Sequence, residues 1–336
     1  MFKKFSGNGN LIFVIVLCAI LTLLPQLIKN IYEIGLLTDF AITLILLIGL
    51  NIISGYGGQL SLGQVTFYGL GAYVAVLQTS KLHIPTGFGL IIAPLICAIF
   101  AAIIGIPSLR LRGLYFAMST LGVSVVFTEF VANSPRISGG ENGLTVTNQL
   151  QIFGHMFFDP KSIYYICVFF VFISYLITYF YIRSRWGWSL RAAEASEPSA
   201  AVVGINIFYI RLGAFMLSGA IAGLAGSLEA YHQLYITPEG FSFAYSILLF
   251  VALTIGGLGT ASGPVIGAFI LYAFKRWFGP FVAFEPLAVG LTFILCLRYF
   301  PRGIDPVIRN FFSSLTVRIK NRKSKSSSPT SLESAK

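Results

Sequence analysis

Residues 183–226, RSRWGWSLRAAEASEPSAAVVGINIFYIRLGAFMLSGAIAGLAG, decide how the chain is arranged. The first half of this stretch is the most densely charged interruption that has hydrophobic sequence on both sides, and it contains Arg183, Arg185 and Arg191. Because arginines that flank apolar spans are retained in the cytoplasm, the pattern predicts a cytoplasmic loop between two transmembrane helices. The loop is expected to occupy residues 183–211.

A very short helix is predicted inside this loop. Pro198 suits the first helical position, where a missing N–H costs nothing, and Gly204 suits the position just after the helix. Residues 199–203 between them are small or apolar. Asn206 is expected to cap the following helix. A short, small-faced helix between two spans suits insertion into a groove on a soluble partner, although an ordinary loop with one helical turn fits the residues equally well.

The stretch EPSAAVVG, residues 197–204, resembles the E-x-A-A-x-x-x-G loop through which the permeases of ABC importers dock onto their ATPase subunits. Glu197, Ala200 and Gly204 match that pattern. Ser199 stands where the first alanine usually occurs and is also small. The resemblance implies a role in ATPase coupling for Arg191, Glu194, Glu197, Ala200, Ala201 and Gly204.

Further blocks resemble the LivM-type permeases of branched-chain amino acid importers and follow the order found in that family. They are NIISGYGGQLSLGQVTFYGLGAY (51–73), LRLRGLYFAMSTLG (109–122), SGGENGL (138–144), TIGGLGTASGPVIGA (254–268) and RYFPRGI (298–304). The resemblance implies import of leucine, isoleucine or valine. It also implies ATPase subunits, a second related permease and a periplasmic or surface substrate-binding protein as partners. Urea and short amides, which similar proteins carry, remain alternative substrates.

Composition places the chain among membrane proteins. Of its 336 residues, 56% are hydrophobic and 10% are charged, whereas roughly 25% are charged in a soluble domain. The length accommodates about ten spans of ~20 residues. We therefore predict an all-α polytopic membrane protein with some helices that are short or broken by glycine. Because the basic residues cluster beside the spans, the net charge of +11 indicates contact with membrane lipid rather than with nucleic acid.

Ten candidate spans follow from the apolar runs. They are residues 11–28, 34–53, 60–79, 88–106, 113–132, 162–182, 207–228, 243–258, 262–278 and 282–299. Ten spans place both termini on one side, which holds 17 of the 23 lysines and arginines against 6 on the other side. This asymmetry predicts an inner-membrane protein with both termini in the cytoplasm. Residues 1–312 are expected to form the permease domain, and the basic, serine-rich residues 313–336 a disordered cytoplasmic tail.

Two segments, 54–72 and 254–268, share one pattern: glycines are followed by a turn of small residues and then by an apolar helix. Glycine-broken helices at corresponding places in two halves of a transporter point to its pathway and to a possible inverted repeat, although close helix packing explains glycines too. The pathway candidates are Gly57, Gly58, Gln59, Ser61, Gly63, Gly256, Gly257, Gly259 and Gly263. By contrast, Gly219, Gly223 and Gly226, at spacings of four and three, are predicted to serve helix packing.

Ionisable residues inside the spans are few. Asp39 lies near a predicted span end and is expected to reach water. Glu229 and His232 are one helical turn apart, so their side chains are close enough to hydrogen-bond to each other at the outer mouth. A solvated helix end is the favoured interpretation. The outer loop 133–161 is expected to face a binding protein or to fold over the pathway mouth, and a solvated loop fits equally well.

The sequence contains no catalytic set. It has no P-loop, GxSxG or HExxH motif, and its histidines and cysteines lack metal-ligand spacing. We therefore predict a transport permease without a catalytic, metal or cofactor site, driven by a separate ATPase. An ion-coupled secondary transporter is the main alternative class, but it would need carboxylates within the spans. A membrane-embedded enzyme fits least well.

Overall fold

Helices make up most of the chain in the computed structural model, which describes residues 9–27, 30–82, 84–111, 113–146, 150–152, 155–157 and 159–278, with 290, 298 and 304 singly. The helices are α1 (Gly9–Leu27), α2 (Ile31–Leu50), α3 (Gln64–Leu82), α4 (Gly89–Ser108), α5 (Leu114–Ala132), α6 (Pro135–Ser138), α7 (Pro160–Arg183), α8 (Arg185–Ala195), α9 (Glu197–Val202), α10 (Ile207–Gln233), α11 (Phe243–Gly256) and α12 (Gly263–Phe278). A π-helical segment, Asn51–Tyr56, continues α2. Short 3-10 turns occupy Thr86–Phe88, Gly140–Asn142 and Pro238–Phe241.

Each of the nine predicted spans that fall within the described residues coincides with a helix. Within the described residues, five helical segments are long and apolar enough to cross a membrane: Ile31–Tyr56, Thr86–Ser108, Leu114–Ala132, Pro160–Arg183 and Ile207–Gln233. Shorter apolar helices occur at Phe13–Gln26 and Phe243–Gly256. The protein is therefore a multi-pass, all-α membrane protein. The predicted tenth span and the predicted tail, residues 313–336, lie outside the described residues, apart from residues 290 and 298.

The structure corrects the start of the third span, and it shows that the two short spans predicted near residue 260 are short helices. The helix predicted over residues 60–79 begins only at Gln64, because residues 57–63 run without regular secondary structure. The helices α11 and α12 have 14 and 16 residues, fewer than the ~20 that a perpendicular span needs. Both are the short, glycine-bounded helices that the sequence predicts around residues 256–263.

The core is built around α10, which packs along α3 and α4, and around α2, which contacts α7, α10 and α12. Small residues allow the backbones to approach closely. A Cβ on Gly226 would lie 1.9 Å from the carbonyl oxygen of Tyr68, and one on Gly223 would lie 2.5 Å from Sγ of Cys97. A Cβ on Gly219 would lie 2.8 Å from that of Ala101. The packing role predicted for these three glycines is confirmed.

The outer loop folds back onto one end of the helix bundle. Its first strand, β1 (Leu144–Thr145), pairs antiparallel with β4 (Tyr235–Ile236), and β2 (Gln151–Ile152) pairs with β3 (His155–Met156). The hydroxyl of Tyr231 donates to the carbonyl oxygen of Thr86 at 2.7 Å. The described part of the loop 133–161 therefore packs against this end of the bundle through the β1–β4 pairing, rather than being wholly solvated.

Candidate coupling and transport site

Two short helices, rather than one, form the loop between α7 and α10. Ser184 caps α8 by accepting from the backbone N–H of Gly187, and Ser196 caps α9 by accepting from that of Ser199, both at 3.4 Å. The helix α8 was not predicted, because residues 185–195 lack an apolar run. The two serines flanking them are the signal that could have revealed it. The first residue of α9 is Glu197, so Pro198 occupies the second helical position, where the N–H also lacks a helical partner.

The end of α9 follows the prediction. Gly204 has φ +81°, the left-handed conformation that favours glycine directly after a helix. Its N–H donates to the carbonyl oxygen of Ala201 at 2.9 Å, and that of Ile205 donates to Ala200 at 3.1 Å. Asn206 then caps α10, its side-chain oxygen accepting from the N–H of Tyr209. The predicted turn and cap are both confirmed.

The residues expected to contact an ATPase do not share one surface. Ala200 is buried, whereas Ala201, Gly204 and Glu194 are exposed. Arg191 turns back into the protein and donates to the carbonyl oxygen of Ile182 at 3.0 Å. The most exposed apolar side chains of the loop are those of Val202 and Val203, at 88% and 79%. We call these two valines the apolar tip.

Glu197 does not extend into solvent. Its Oε1 lies 2.5 Å from Nη2 of Arg211, one of the first residues of α10, and the two side chains are 28% and 8% exposed. Its carboxylate is instead held by a nearly buried arginine of the same chain. This ion pair connects α9 to α10.

Arg211 also contacts the first glycine-broken segment. With the amide of Gln59 oriented to complement the guanidinium, its side-chain oxygen lies 3.2 Å from Nε and 3.0 Å from Nη2 of Arg211. The same segment touches α8, since a Cβ on Gly58, which has φ +63°, would lie 2.7 Å from Cγ of Glu194. The structure therefore places one coupling candidate, Glu194, directly against the pathway candidate Gly58, and it links a second, Glu197, to the pathway candidate Gln59 through Arg211.

The two glycine-broken segments meet at Asn51. Its Nδ2 donates to the carbonyl oxygen of Thr260 at 2.8 Å, and its Oδ1 accepts from the N–H of Gly259 at 2.9 Å. A Cβ on Gly55 would lie 2.4 Å from the nitrogen of Gly259, so the backbones are in contact there. We call this contact the glycine joint. Gly259 and Gly257 have φ +69° and +119°, which α11 and α12 need for the turn between them.

The remaining pathway candidates are held tightly around the joint. A Cβ on Gly256 would lie 2.1 Å from the carbonyl oxygen of Gly263, which brings α11 and α12 together. In the first segment, the N–H of Gly57 donates to Ile52 and the N–H of Ser61 to Oγ of Ser54, at 3.1 and 3.3 Å. A Cβ on Gly63 would lie 3.1 Å from the carbonyl oxygen of Thr120 in α5.

A cluster of charged groups lies at the opposite end of the bundle from α8 and α9. Asp39 pairs with Lys275 of α12, and its Oδ1 lies 3.2 Å from Nε2 of His232 in α10. The side chain of Asp39 is only 18% exposed. The expected solvated carboxylate at residue 39 is therefore wrong. The solvated helix end favoured for residues 229–232 is not observed at His232. Its side chain is nearly buried and contacts Asp39, which lies 193 positions away in the sequence.

The comparisons with known proteins agree with the resemblance seen in the sequence. The family described as branched-chain amino acid transport system / permease component matches residues 32–298. The chain is 29% identical over 291 residues to the high-affinity branched-chain amino acid transport system permease protein LivM of Escherichia coli K12, which covers 80% of this chain and 68% of that protein.

Two other relatives carry related names. Identity is 27% over 283 residues with the high-affinity branched-chain amino acid transport system permease protein BraD of Pseudomonas aeruginosa, which covers 76% of this chain and 89% of that protein. It is 31% over 163 residues with the probable branched-chain amino acid transport permease protein LivH of Methanocaldococcus jannaschii, which covers 45% and 50%. No solved structure matches the chain significantly.

Proposed function

The chain belongs to the family of permease components of branched-chain amino acid transport systems, and we propose that it moves leucine, isoleucine or valine through the membrane as one subunit of an ABC importer. Its relatives are named as permease proteins, and ATP hydrolysis is assigned to separate ATPase subunits. The family implies a second, related permease as partner. A periplasmic or surface binding protein would deliver the substrate.

The observation that carries this proposal is the set of contacts made by Arg211. The guanidinium is bonded to Glu197 in α9 and to Gln59 in the first glycine-broken segment. A displacement of α9 is therefore passed to α10 and to residues 57–63 through charge-assisted hydrogen bonds, which are stronger than neutral ones. In an importer, the displacement would come from ATPase subunits that close on ATP beneath α8 and α9.

The proposed cycle uses the helices on both sides of the coupling loop. Closure of the ATPase subunits would push against the apolar tip and rock α7 and α10. Because residues 57–63 contact Arg211 and adjoin the glycine joint, the same movement would shift α11 and α12. Rocking about a fixed site is how transporters with broken helices alternate access between the two sides.

The orientation follows from this assignment. The end with α8 and α9 would face the cytoplasm of a cell with this protein in its inner membrane, and the covered end would face the binding protein. Both termini are proposed to be cytoplasmic, with residues 1–312 as the permease domain and residues 313–336 as a tail. Arginines 183, 185 and 191 beside the spans support this orientation.

Transport in proteoliposomes tests the proposal. The permease would be reconstituted with its sister permease, its ATPases and its binding protein, and uptake of tritiated L-leucine would be measured with ATP on the ATPase side. We expect uptake that needs ATP and binding protein and is inhibited by excess isoleucine and valine, but not by urea or acetamide. Inhibition by urea would assign a different cargo. Uptake that persists without ATPases and stops with an uncoupler would show an ion-coupled carrier.

A further inference from the structure

A cavity of about 610 Å³ lies at the end of the bundle opposite α8 and α9. Its walls come mainly from α2, α11 and α12, with one side chain each from α3 and α10. Its volume is within the range of roughly 300–1,000 Å³ that small-molecule sites occupy. A free amino acid fits this space with room for water.

The charged groups of this cavity are unequal in number. Of the described residues that line it, three are acidic, Asp39, Glu229 and Glu239, and one is a lysine, Lys275. Asp39 is paired with Lys275 and lies 3.2 Å from Nε2 of His232. The three carboxyl groups therefore outnumber the two neighbouring basic groups, and a ligand with a cationic group would complement the cavity. Ionisable side chains at membrane depth are costly, and by default they mark a functional site.

Apolar side chains also line the cavity. They are Leu36, Phe40, Leu248 and Leu271, together with the ring of Tyr272. Phe40 and Tyr272 contact each other edge to face at 5.9 Å between ring centroids. A ligand that fills this space therefore needs an aliphatic part as well as a charged part, a combination that urea and simple cations lack.

We infer that this cavity is a substrate subsite of the permease, in which a zwitterionic aliphatic amino acid binds with its ammonium group against Glu229 and Asp39. Its carboxylate faces Lys275, and its branched side chain packs against Leu248 and Leu271. This inference rests on the proposed function and names the place where that substrate binds within this chain. Asp39 is shared with Lys275 and His232, whereas Glu229 has Tyr68 and Gln233 beside it and no ion pair with a lysine or arginine among the described residues, so Glu229 is the contact that the experiment below tests.

The helices that form the cavity also form the glycine joint. The twelve residues from Asp39 to Asn51 along α2 and its π-helical continuation span ~18 Å at the α-helical rise. The helix α11 begins directly after Ser242, which lines the cavity, and ends at Gly256 beside the joint, and α12 begins at Gly263 and carries Lys275 in its last turn. A rearrangement of the joint therefore moves the walls of the cavity, which is the coupling that alternating access needs.

Protection from chemical labelling tests occupancy of the cavity directly. Ala244 lines the cavity and is exposed, so Ala244→Cys in the full importer would react with a water-soluble thiol reagent. The unchanged chain is the control for labelling at its own cysteines, of which Cys97 and Cys167 are buried, Cys18 is half-buried and Cys296 lies outside the described residues. We expect L-leucine to slow labelling at least threefold. Isoamylamine, which keeps the ammonium, should protect more weakly, and 4-methylpentanoate, which lacks it, should not protect.

Binding of tritiated L-leucine to the same complex in nanodiscs, without binding protein, tests the role of Glu229. Replacing Glu229→Gln removes one charge with little change in volume, and we expect affinity to fall about tenfold, equivalent to the loss of one charged hydrogen bond. Glu129→Gln is the matched control, because Glu129 lies near the end of α5 and is bonded to Asn133 rather than to the cavity. The basal ATPase activity reports whether each variant is assembled.

The outcomes separate this inference from the proposed function. If the importer takes up leucine while Ala244→Cys is not protected and Glu229→Gln binds leucine normally, the cavity is not the subsite and the proposed function stands. Protection by sodium chloride but not by leucine would identify an ion site and overturn the inference. If leucine is not transported at all, the proposed function itself fails. If Glu229→Gln does not assemble, the labelling result alone decides.

Discussion

The carboxylate of Glu197 lies 2.5 Å from the guanidinium of Arg211, across the turn that joins the coupling helix α9 to the long helix α10. Arg211 is nearly buried, and its Nε and Nη2 also meet Gln59 of the first glycine-broken segment. One arginine thus joins the part of the chain expected to meet an ATPase to the part expected to line the pathway.

Loss of this arginine is expected to uncouple the importer. Arg211→Met removes the ion pair of Glu197 with Arg211, and removal of one member of a buried pair costs about 3–5 kcal/mol, with a lower cost here because Glu197 is partly solvated. We expect substrate-stimulated ATPase activity to fall more than tenfold while the complex still assembles. Arg185→Met, at an exposed arginine of the same loop, is the control.

The pair also predicts non-additivity. Glu197→Gln should lower substrate-stimulated ATPase activity markedly, whereas the loss of a solvated charge would have a small effect. The double variant, Glu197→Gln with Arg211→Met, should be little worse than Arg211→Met alone. The readout is the same ATPase assay. Additive losses in the double variant would mean that the two side chains act separately.

The effect of substituting Gly204 is expected to depend on how well the new residue adopts a left-handed backbone conformation. At φ +81°, an asparagine is tolerated, whereas other L-residues cost ~1–2 kcal/mol. Gly204→Asn should therefore retain coupling, Gly204→Ala should weaken it, and Gly204→Arg should abolish it because bulk and charge are added next to the apolar tip. Membrane insertion should be unchanged in all three. Normal stimulation of ATPase activity in Gly204→Arg would contradict the docking role.

The apolar tip is expected to bind the ATPase rather than to stabilise the permease. Val203 is 79% exposed, so Val203→Asp should leave the unfolding temperature unchanged. A charge in a docking contact is expected to weaken binding roughly tenfold or more. Co-purification of the ATPase with the permease measures this, and Val203→Ile serves as the conservative control. Equal recovery of ATPase with both variants would exclude the tip from the interface.

Asn51 is expected to hold the glycine joint together. Asn51→Leu removes the partners of the Thr260 carbonyl and the Gly259 N–H, and an unsatisfied buried group costs about 1–3 kcal/mol. Asn51→Asp can still accept from Gly259 but cannot donate to Thr260, so it should be intermediate. The unfolding temperature of the purified complex measures this, and we expect it to fall from the unchanged chain to Asn51→Asp to Asn51→Leu. Thr254→Val, at a hydroxyl that bonds within its own helix, should change little.

Close packing of α3 against α10 predicts a sharp difference between two glycines. A Cβ on Gly226 would lie 1.9 Å from the carbonyl oxygen of Tyr68, so Gly226→Ala must separate the helices and should prevent stable assembly. A Cβ on Gly122 in α5 meets nothing within 4 Å, so Gly122→Ala should be neutral or stabilise the protein by ~0.5–1 kcal/mol. The yield of monodisperse protein in detergent distinguishes them.

Local sequence was sufficient for several parts of the molecule. Runs of apolar residues predict helices because the membrane requires each backbone N–H to be satisfied within its own segment, and nine predicted spans coincide with helices. The cap of α10 and the left-handed turn at Gly204 were also predicted, since both depend on neighbouring residues. The helix α8 was missed because its residues follow no apolar pattern. The serines at its two ends were the only local signal for it.

By itself, the sequence determined the class of the protein, the positions of its helices and the glycine-broken segments, because these depend on hydrophobicity and on contacts within a few residues. Only the tertiary structure decided that Arg211 faces Gln59, that Asn51 joins segments 208 positions apart, and that Asp39 pairs with Lys275, 236 positions away. Such pairs depend on which faces of distant helices meet. In an almost uniformly apolar chain, hydrophobic periodicity is too weak to specify those faces.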